Sequence, residues 1–470
     1  MRWSELDRGA RWGLLAIATL LACAIAVRTW LIVGYGPAFV GFGDSHEYVT
    51  AAARGVFADA QKPAGYPIFL QLLHALSDSL SFTIIVQHVL GLASGLLLYA
   101  AMRRIDTPPW LGLLPAAVVF FGGTGLLLEH SLLADSLFTF AQALGLYGAV
   151  RALGEPRLRW PLLAGTAIGA SFWIKTVGLS SVVLVPALLL FAGPGVLRRR
   201  ASSAVAAAAA ALLLVLGYPA AQALVTGHWR YERQGAWNLY GRVATFVDCR
   251  RFTAPAGTSF LCPAEPPARR LSQSFYQYAR AAPAVRRFGG PARAPAYANA
   301  LLQRFSTAAI EQEPLAYAGA IARSLTYFVD PRAGEGYPPG AIREALLDRK
   351  GVRSIGPALA SYYPGERGYQ GSPHATRRLA LFERDTRVQG PLLLALLLAA
   401  ILGAPLLADR ARSAAVMFTL SALLSVLLAV AGNGYDARYA YPAFGPLAAG
   451  AALGAWGIAI RARNRKRRDR

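Results

Sequence analysis

Residues 12–48 read WGLLAIATLLACAIAVRTWLIVGYGPAFVGFGDSHEY. An apolar run breaks at Gly34-Tyr35-Gly36-Pro37 and gives way to two acids, a histidine and a tyrosine. The run exceeds the roughly 18–20 apolar residues that cross a bilayer. Leu20-Leu21-Ala22-Cys23 resembles a cleavage box, but the apolar run continues to Val33 and many more follow, so a retained spanning helix is expected. Gly41-Phe42-Gly43-Asp44-Ser45-His46-Glu47-Tyr48 then lies at the mouth of a membrane, just ahead of Lys62-Pro63-Ala64-Gly65-Tyr66-Pro67.

The rest of the chain fits that start. Hydrophobic residues make up 55%, charged residues only 16%, and mean hydropathy is +0.38. Hydropathy predicts an all-α polytopic membrane protein with about ten spanning helices. They are expected at 12–34, 82–102, 111–127, 134–152, 160–174, 177–194, 203–225, 389–407, 413–431 and 440–460. Lys175 is costly at mid-bilayer, so 160–174 and 177–194 are expected to be two helices meeting at the surface. This divides the chain into an N-terminal membrane domain (1–225), a loop domain (226–388), and C-terminal helices with a basic tail (389–470).

The net charge of +23 would suggest nucleic acid in a soluble protein. Here the cations cluster between apolar runs. With the N-terminus in the cytoplasm, every inner piece is basic: Arg2, Arg8 and Arg11; Arg103-Arg104; Arg157 and Arg159; Arg198-Arg199-Arg200; Arg410 and Arg412; and the tail from Arg461 to Arg470. That satisfies the positive-inside rule and places both termini in the cytoplasm. The tail is expected to meet anionic membrane lipids, and no nucleic-acid partner is expected.

Two long outer segments remain, 35–81 and 226–388. In the first, 44–60 and 67–80 are expected to form helices along the membrane surface. In the second, a small extracytoplasmic domain is expected. Its first half is loop-rich, 296–328 is helical, and the Gly-, Pro- and Tyr-rich 331–375 is irregular. Cys249 and Cys262 lie in this loop, either as a disulfide or as two free thiols.

The membrane-edge charges fall on one side under this topology. Asp44, Glu47 and Lys62 are in the first outer loop. Glu129, His130 and Asp135 lie in the turn before the fourth helix, Lys175 in the next outer turn, and Asp436 and Arg438 in the last. Ionisable groups at membrane depth are expensive and default to function. Each also has a structural reading: Asp44 and Asp135 as helix caps, Lys175 snorkelling, Arg438 pairing with Asp436. His46 and His130 lack tight metal-ligand spacing and read as interface histidines.

This two-sign cluster suits transfer from a lipid-linked phosphate donor. Cleavage at a sugar's anomeric carbon leaves charge on the phosphate, which fixed cations stabilise in the transition state. Lys175, Arg438 and Lys62 are the expected cations. The acceptor hydroxyl must lose its proton to a carboxylate. Asp44 is the expected base, with Asp135 or Glu129 in support. His46, Glu47, Tyr48, Tyr66, His130 and Tyr439 complete the expected pocket.

At these residues the chain resembles the C superfamily of polyprenol-phosphate-sugar-dependent glycosyltransferases, near the protein O-mannosyltransferases and lipid A aminoarabinose transferases. Gly43-Asp44-Ser45-His46-Glu47-Tyr48 is similar to the family's acidic motif, whose Asp is catalytic. Lys62-Pro63-Ala64-Gly65-Tyr66-Pro67 is similar to its Pro-Pro-Gly-Tyr-Pro turn, with Ala64 for the second Pro. Leu132 to Phe138 resembles the acidic start of its fourth helix, and Ala437 to Pro442 its Arg-Tyr-x-x-Pro entry, where the Arg meets donor phosphate. Trp173-Ile174-Lys175-Thr176 stands where Arg-Pro or Lys-Gly is common in the family. The resemblance implies a bacterial inner-membrane enzyme with its active site outside. It implies inversion, a polyprenyl-phosphate donor and a glycan, lipid or protein acceptor. No cofactor is certain, and a divalent metal stays open. The alternatives are a transporter or flippase, which would show mid-membrane charges and repeated halves, or a non-catalytic assembly subunit.

Overall fold

The computed structural model describes residues 8–57, 61–105, 107–155, 157–232, 234–330 and 346–468. Among them there is no strand; the backbone forms helices and connecting turns. The N-terminal half contains α1 (Arg8–Tyr35), α2 (Gly43–Arg54), α3 (Gly65–His74), α4 (Leu80–Met102), α5 (Leu113–Phe121), α6 (Gly123–Glu129), α7 (Asp135–Gly154), α8 (Arg159–Ile174), α9 (Leu179–Ala192) and α10 (Leu197–Thr226). Residues 226–388 contain α11 (Gln234–Ala244), α12 (Gln273–Tyr278), α13 (Pro283–Phe288), α14 (Ala296–Gln312), α15 (Pro314–Val329), α16 (Arg349–Tyr362) and α17 (Pro373–Asp385). The chain then runs through α18 (Pro391–Gly403), α19 (Asp409–Gly432) and α20 (Tyr441–Arg468).

Each expected apolar segment falls on one of these helices or on a helix pair. Five described helices are long and apolar enough to cross a membrane: Arg11–Tyr35, Leu80–Met102, Leu197–Thr226, Asp409–Gly432 and Ala437–Arg467. The pair Pro109–Phe121 and Gly123–Glu129, bent by 55°, would make a sixth. Thr176–Ala192 and Pro391–Leu406 are apolar but shorter. The bilayer-facing surface is visible as exposed Leu213, Leu224, Val183 and Phe191 on α9 and α10. The interior is built from close helix pairs, α8 on α7 and α10, and α20 on α18 and α19.

Residues 331–345 of the stretch expected to be irregular lie outside the described residues. Of the remainder, 349–362 departs from that expectation and is helical, whereas 363–372 is turn and loop. Asp348 caps α16, accepting hydrogen bonds from Lys350 N and Gly351 N at 3.3 and 2.9 Å. Ile355, Leu359 and Tyr362 recur at helical spacing and are buried. Packing on α2 therefore overrides the helix-breaking tendency of Gly351 and Pro357. Cys249 and Cys262 are disulfide-bonded, and Cys23 is free and exposed.

Candidate active site

The loop after α1 is tied to the turn before α7 by backbone pairing. Phe39 N donates to His130 O at 3.0 Å, and Leu132 N donates to Phe39 O at 3.1 Å. This brings Asp44 at the start of α2 towards Asp135 at the start of α7. The 62–67 turn supplies Lys62. A Cβ at Gly65 would sit 2.6 Å from the carbonyl of Trp173, so glycine is what allows α3 to approach the end of α8. Ala64 N also donates to Tyr218 Oη at 3.2 Å, fixing the turn on α10. The α8 helix ends at Ile174, and Lys175 is extended, which turns its side chain towards α7.

Asp44 sits between two cations. Its Oδ1 is 2.9 Å from Lys62 Nζ, and its Oδ2 is 2.7 Å from Arg438. Phe42, not Asp44, occupies the N-cap position of α2, so the capping alternative does not hold. Lys62 also lies 3.4 Å from Glu47. Arg438 is held by Asp436 at 3.2 Å and stacks on the Phe42 ring at 4.4 Å. Beside this group, Lys175 Nζ donates to Asp135 Oδ1 at 2.5 Å, and Asp135 is fully buried.

Burial alone would raise the Asp44 carboxyl. The charges and hydrogen bonds of Arg438 and Lys62 outweigh it and hold the group well below the usual carboxylate range. Burial would lower Lys62, but Asp44 and then Glu47 raise it well above its ordinary value. At Lys175 burial prevails over Asp135, and the ammonium is pushed down.

Asp44, Tyr48, Lys62, Lys175, Arg438 and Tyr439 line one cavity of about 400 Å³. Asp135 and Glu47 stand behind it, as ion-pair partners of Lys175 and Lys62. Tyr66 supports Tyr48 from behind, ring centroids 4.8 Å apart, and donates to Gln87 Oε1 at 2.6 Å. His46 is half-buried on α2 and is not among the lining residues. Glu129 and His130 do not join the cavity either. They belong to a buried network in which Arg28 grips Glu129 at 2.8 and 2.9 Å and His88 bridges Glu129 and His130 at 3.0 and 3.1 Å. Tyr441 Oη donates to Glu129 Oε1 at 3.3 Å.

The segment after α10 adds a wall that the sequence motifs do not mark. Glu232, Gln234 and Asn238 line the same cavity. Gln234 is buried; its Nε2 donates to Asn238 Oδ1 and Tyr278 Oη at 3.1 and 2.8 Å, while its Oε1 has no hydrogen-bond partner. Thr176 Oγ1 donates to Glu232 Oε1 at 3.2 Å. Burial, with smaller contributions from Asp44 and Glu47, pushes the Glu232 carboxyl up to about 7, against the pull of Lys62 and Thr176. Among the described residues, no group of three or more His, Cys, Asp and Glu is placed to hold a metal ion.

A family model described as dolichyl-phosphate-mannose-protein mannosyltransferase matches residues 61–221. That stretch is about a third of the chain; it contains Lys62, Asp135 and Lys175 but neither Asp44 nor Arg438. No curated protein sequence matches the chain. Among solved structures, the oligosaccharyltransferase of Archaeoglobus fulgidus in its apo form matches at 12% identity and a TM-score of 0.48. The match covers 98% of this chain and 51% of that one, so this chain spans about half its length. ArnT from Cupriavidus metallidurans in its apo state matches at 14% identity and a TM-score of 0.36, covering 96% of this chain and 78% of that one. A second ArnT structure, bound to undecaprenyl phosphate, matches at 13% identity and a TM-score of 0.36, with 95% and 78% covered. Through the 61–221 match and the motifs within it, the chain is similar to the polyprenol-phosphate-sugar-dependent glycosyltransferases of the C superfamily.

Proposed function

We propose that this protein moves one sugar from a polyprenyl-phosphate donor to an acceptor on the outer side of a bacterial inner membrane, with inversion at the anomeric carbon. The observation that carries this reading is Asp44 held between Lys62 and Arg438 in a cavity that also receives Lys175. One side of that cavity is apolar and includes Leu179 and Leu428, both substantially exposed on helices α9 and α19. A polyprenyl tail can lie against such a surface in the bilayer while its phosphate reaches the cations. The distribution of cations along the chain supports the orientation, with both termini inside.

In the step, the acceptor oxygen bonds the anomeric carbon and its proton passes to Asp44. The bond from that carbon to the phosphate oxygen breaks, and its electron pair stays on the phosphate. Lys175 and Arg438 stabilise the added charge, with Lys62 nearby. Both Asp44 oxygens are engaged by cations before substrate binds, which makes the carboxylate a weak base. Donor phosphate competes for Arg438 and Lys62. Drawing either one towards the phosphate raises the basicity of Asp44 as the donor arrives. Asp135 positions Lys175, and Glu232, Gln234 and Asn238 accept and donate hydrogen bonds to sugar hydroxyls.

Purified protein offered a panel of polyprenyl-phosphate sugars is expected to transfer or hydrolyse at least one of them. A folded protein that turns over none would overturn the reading. The pH profile gives a second check. Asp44 stays ionised through mildly acidic pH, so it does not set the acid limb. Glu232 does: kcat/KM is expected to rise with pH through about 7 as Glu232 ionises and accepts from sugar hydroxyls. Glu232→Gln is expected to flatten that rise while retaining activity. An unchanged rise in the variant would assign it to another group.

A further inference from the structure

Helices α16 and α17 border a second, open cavity of about 1070 Å³, separate from the one that holds Asp44. Arg349 and Arg353, one turn apart on α16, line it together with Arg377 of α17. Gln370 and Thr376 add polar groups, and among the described residues no acidic side chain lines it. Asp348, the acid next to Arg349, spends its carboxylate on the α16 N-terminus. All three arginines are solvent-exposed, so their charges are open to an incoming anion, and guanidinium is suited to phosphate geometry.

The opposite side of α17 borders a further cavity of about 550 Å³. It is lined by Ala26, Val27 and Trp30 of α1 and by Arg378, Leu381 and Phe382 of α17. Its walls are apolar apart from Arg378, and Trp30 packs on Phe382 at 5.2 Å between ring centroids. α1 is one of the helices long and apolar enough to span the membrane. A cationic cavity and an apolar groove against a spanning helix thus flank one short helix, with Arg377 facing the first and its neighbour Arg378 the second, so an amphiphile with a phosphate headgroup would meet both by lying across α17.

We propose that α16 and α17 form a binding site for an anionic phospholipid, with its phosphate among Arg349, Arg353 and Arg377 and an acyl chain in the groove against α1. The site abuts the loop that leads to Asp44. Gly41 N donates to Leu346 O at 2.9 Å, and Tyr369 N donates to Ala38 O at 2.8 Å. Gly351 lies directly against the Gly41 backbone, where a Cβ would collide. A bound lipid therefore braces residues 38–41 from the side away from the cavity.

The test is retention of phosphatidylglycerol by the full chain in nanodiscs that are otherwise phosphatidylcholine, read by native mass spectrometry and by titration. Wild type is expected to retain phosphatidylglycerol over phosphatidylcholine. Arg349→Gln/Arg353→Gln/Arg377→Gln is expected to weaken this roughly 10²-fold, at about fivefold per cation. The corresponding triple Lys variant, which keeps the charges, is expected to hold most of the affinity. Ala26→Trp fills the groove and is expected to weaken phosphatidylglycerol without changing competition by inorganic phosphate. Unchanged lipid retention in a triple Gln variant with wild-type thermal unfolding would overturn the site. Equal affinity for inorganic phosphate and phosphatidylglycerol, with no effect of Ala26→Trp, would make it a phosphate site and overturn its assignment to a lipid. Because the readout is binding, it stands or falls independently of sugar transfer.

Discussion

Asp44→Asn is expected to lower kcat roughly 10²–10⁴-fold, the range for loss of a positioned general base. The substitution is close to isosteric, and Asp44 is not an N-cap, so α2 keeps its start. Removing the carboxylate also frees Lys62 and Arg438 from their pairs at 2.9 and 2.7 Å. Two cations without a carboxylate between them bind donor phosphate at least as well as before. Donor affinity is therefore expected to hold or tighten while turnover collapses. That split separates a chemical role from a structural one, since misfolding would lower both. The measurement is single-turnover sugar transfer beside equilibrium binding of the donor. Equal turnover in the variant would remove Asp44 from the mechanism and shift attention to Asp135, the ion-pair partner of Lys175.

Much of this site is legible in the sequence, and the reason is scarcity. In a chain where charged residues are only 16%, an acid or cation beside an apolar run stands out. Asp44 and Lys62 from the loop after α1, and Lys175 and Arg438 from two later turns, meet in one cavity, with Asp135 behind Lys175. Turn adjacency says nothing, however, about which way a side chain points. Glu129 and His130 precede Asp135 by a few residues yet face into the bundle, because the bend between α5 and α6 rotates them towards α1 and α4. Their partner Arg28 escapes a hydropathy reading because it is averaged away within α1. A lone arginine inside an apolar run is nevertheless a signal in its own right. Glu232 carries no comparable mark. It lies in a polar loop, and only docking of that loop over Thr176 makes it a half-buried carboxylate facing the cavity. The helix at 349–362 is obscured by Gly351, Gly356 and Pro357, although its capping Asp348 and the 355–359–362 apolar spacing are present.

The Arg28 network leads to the second large effect, which falls on stability. Arg28 is 2% exposed and Glu129 is fully buried, and the two make a bidentate pair between α1 and the end of α6. Glu129→Gln leaves a guanidinium buried without its counter-charge, which typically costs about 3–5 kcal/mol. The variant is expected to unfold at a markedly lower temperature in detergent, whereas kcat of the fraction that remains folded stays within a few-fold of wild type. Pairing it with Arg28→Met removes the stranded charge, and Gln still offers hydrogen bonds to His88 and Tyr441. The double variant is therefore expected to recover most of the lost stability, the sign of a coupled pair. A catalytic Glu129 would give the opposite pattern: turnover lost, unfolding temperature unchanged, and no recovery in the double variant. The network ties α1, α4, α6 and α20 together, and His130 in it also carries the backbone pairing to Phe39. The loop bearing Asp44 is thus anchored through a buried network that never touches the cavity, and loss of its ion pair lowers the stability of the fold that holds the loop and leaves the chemistry at Asp44 in place.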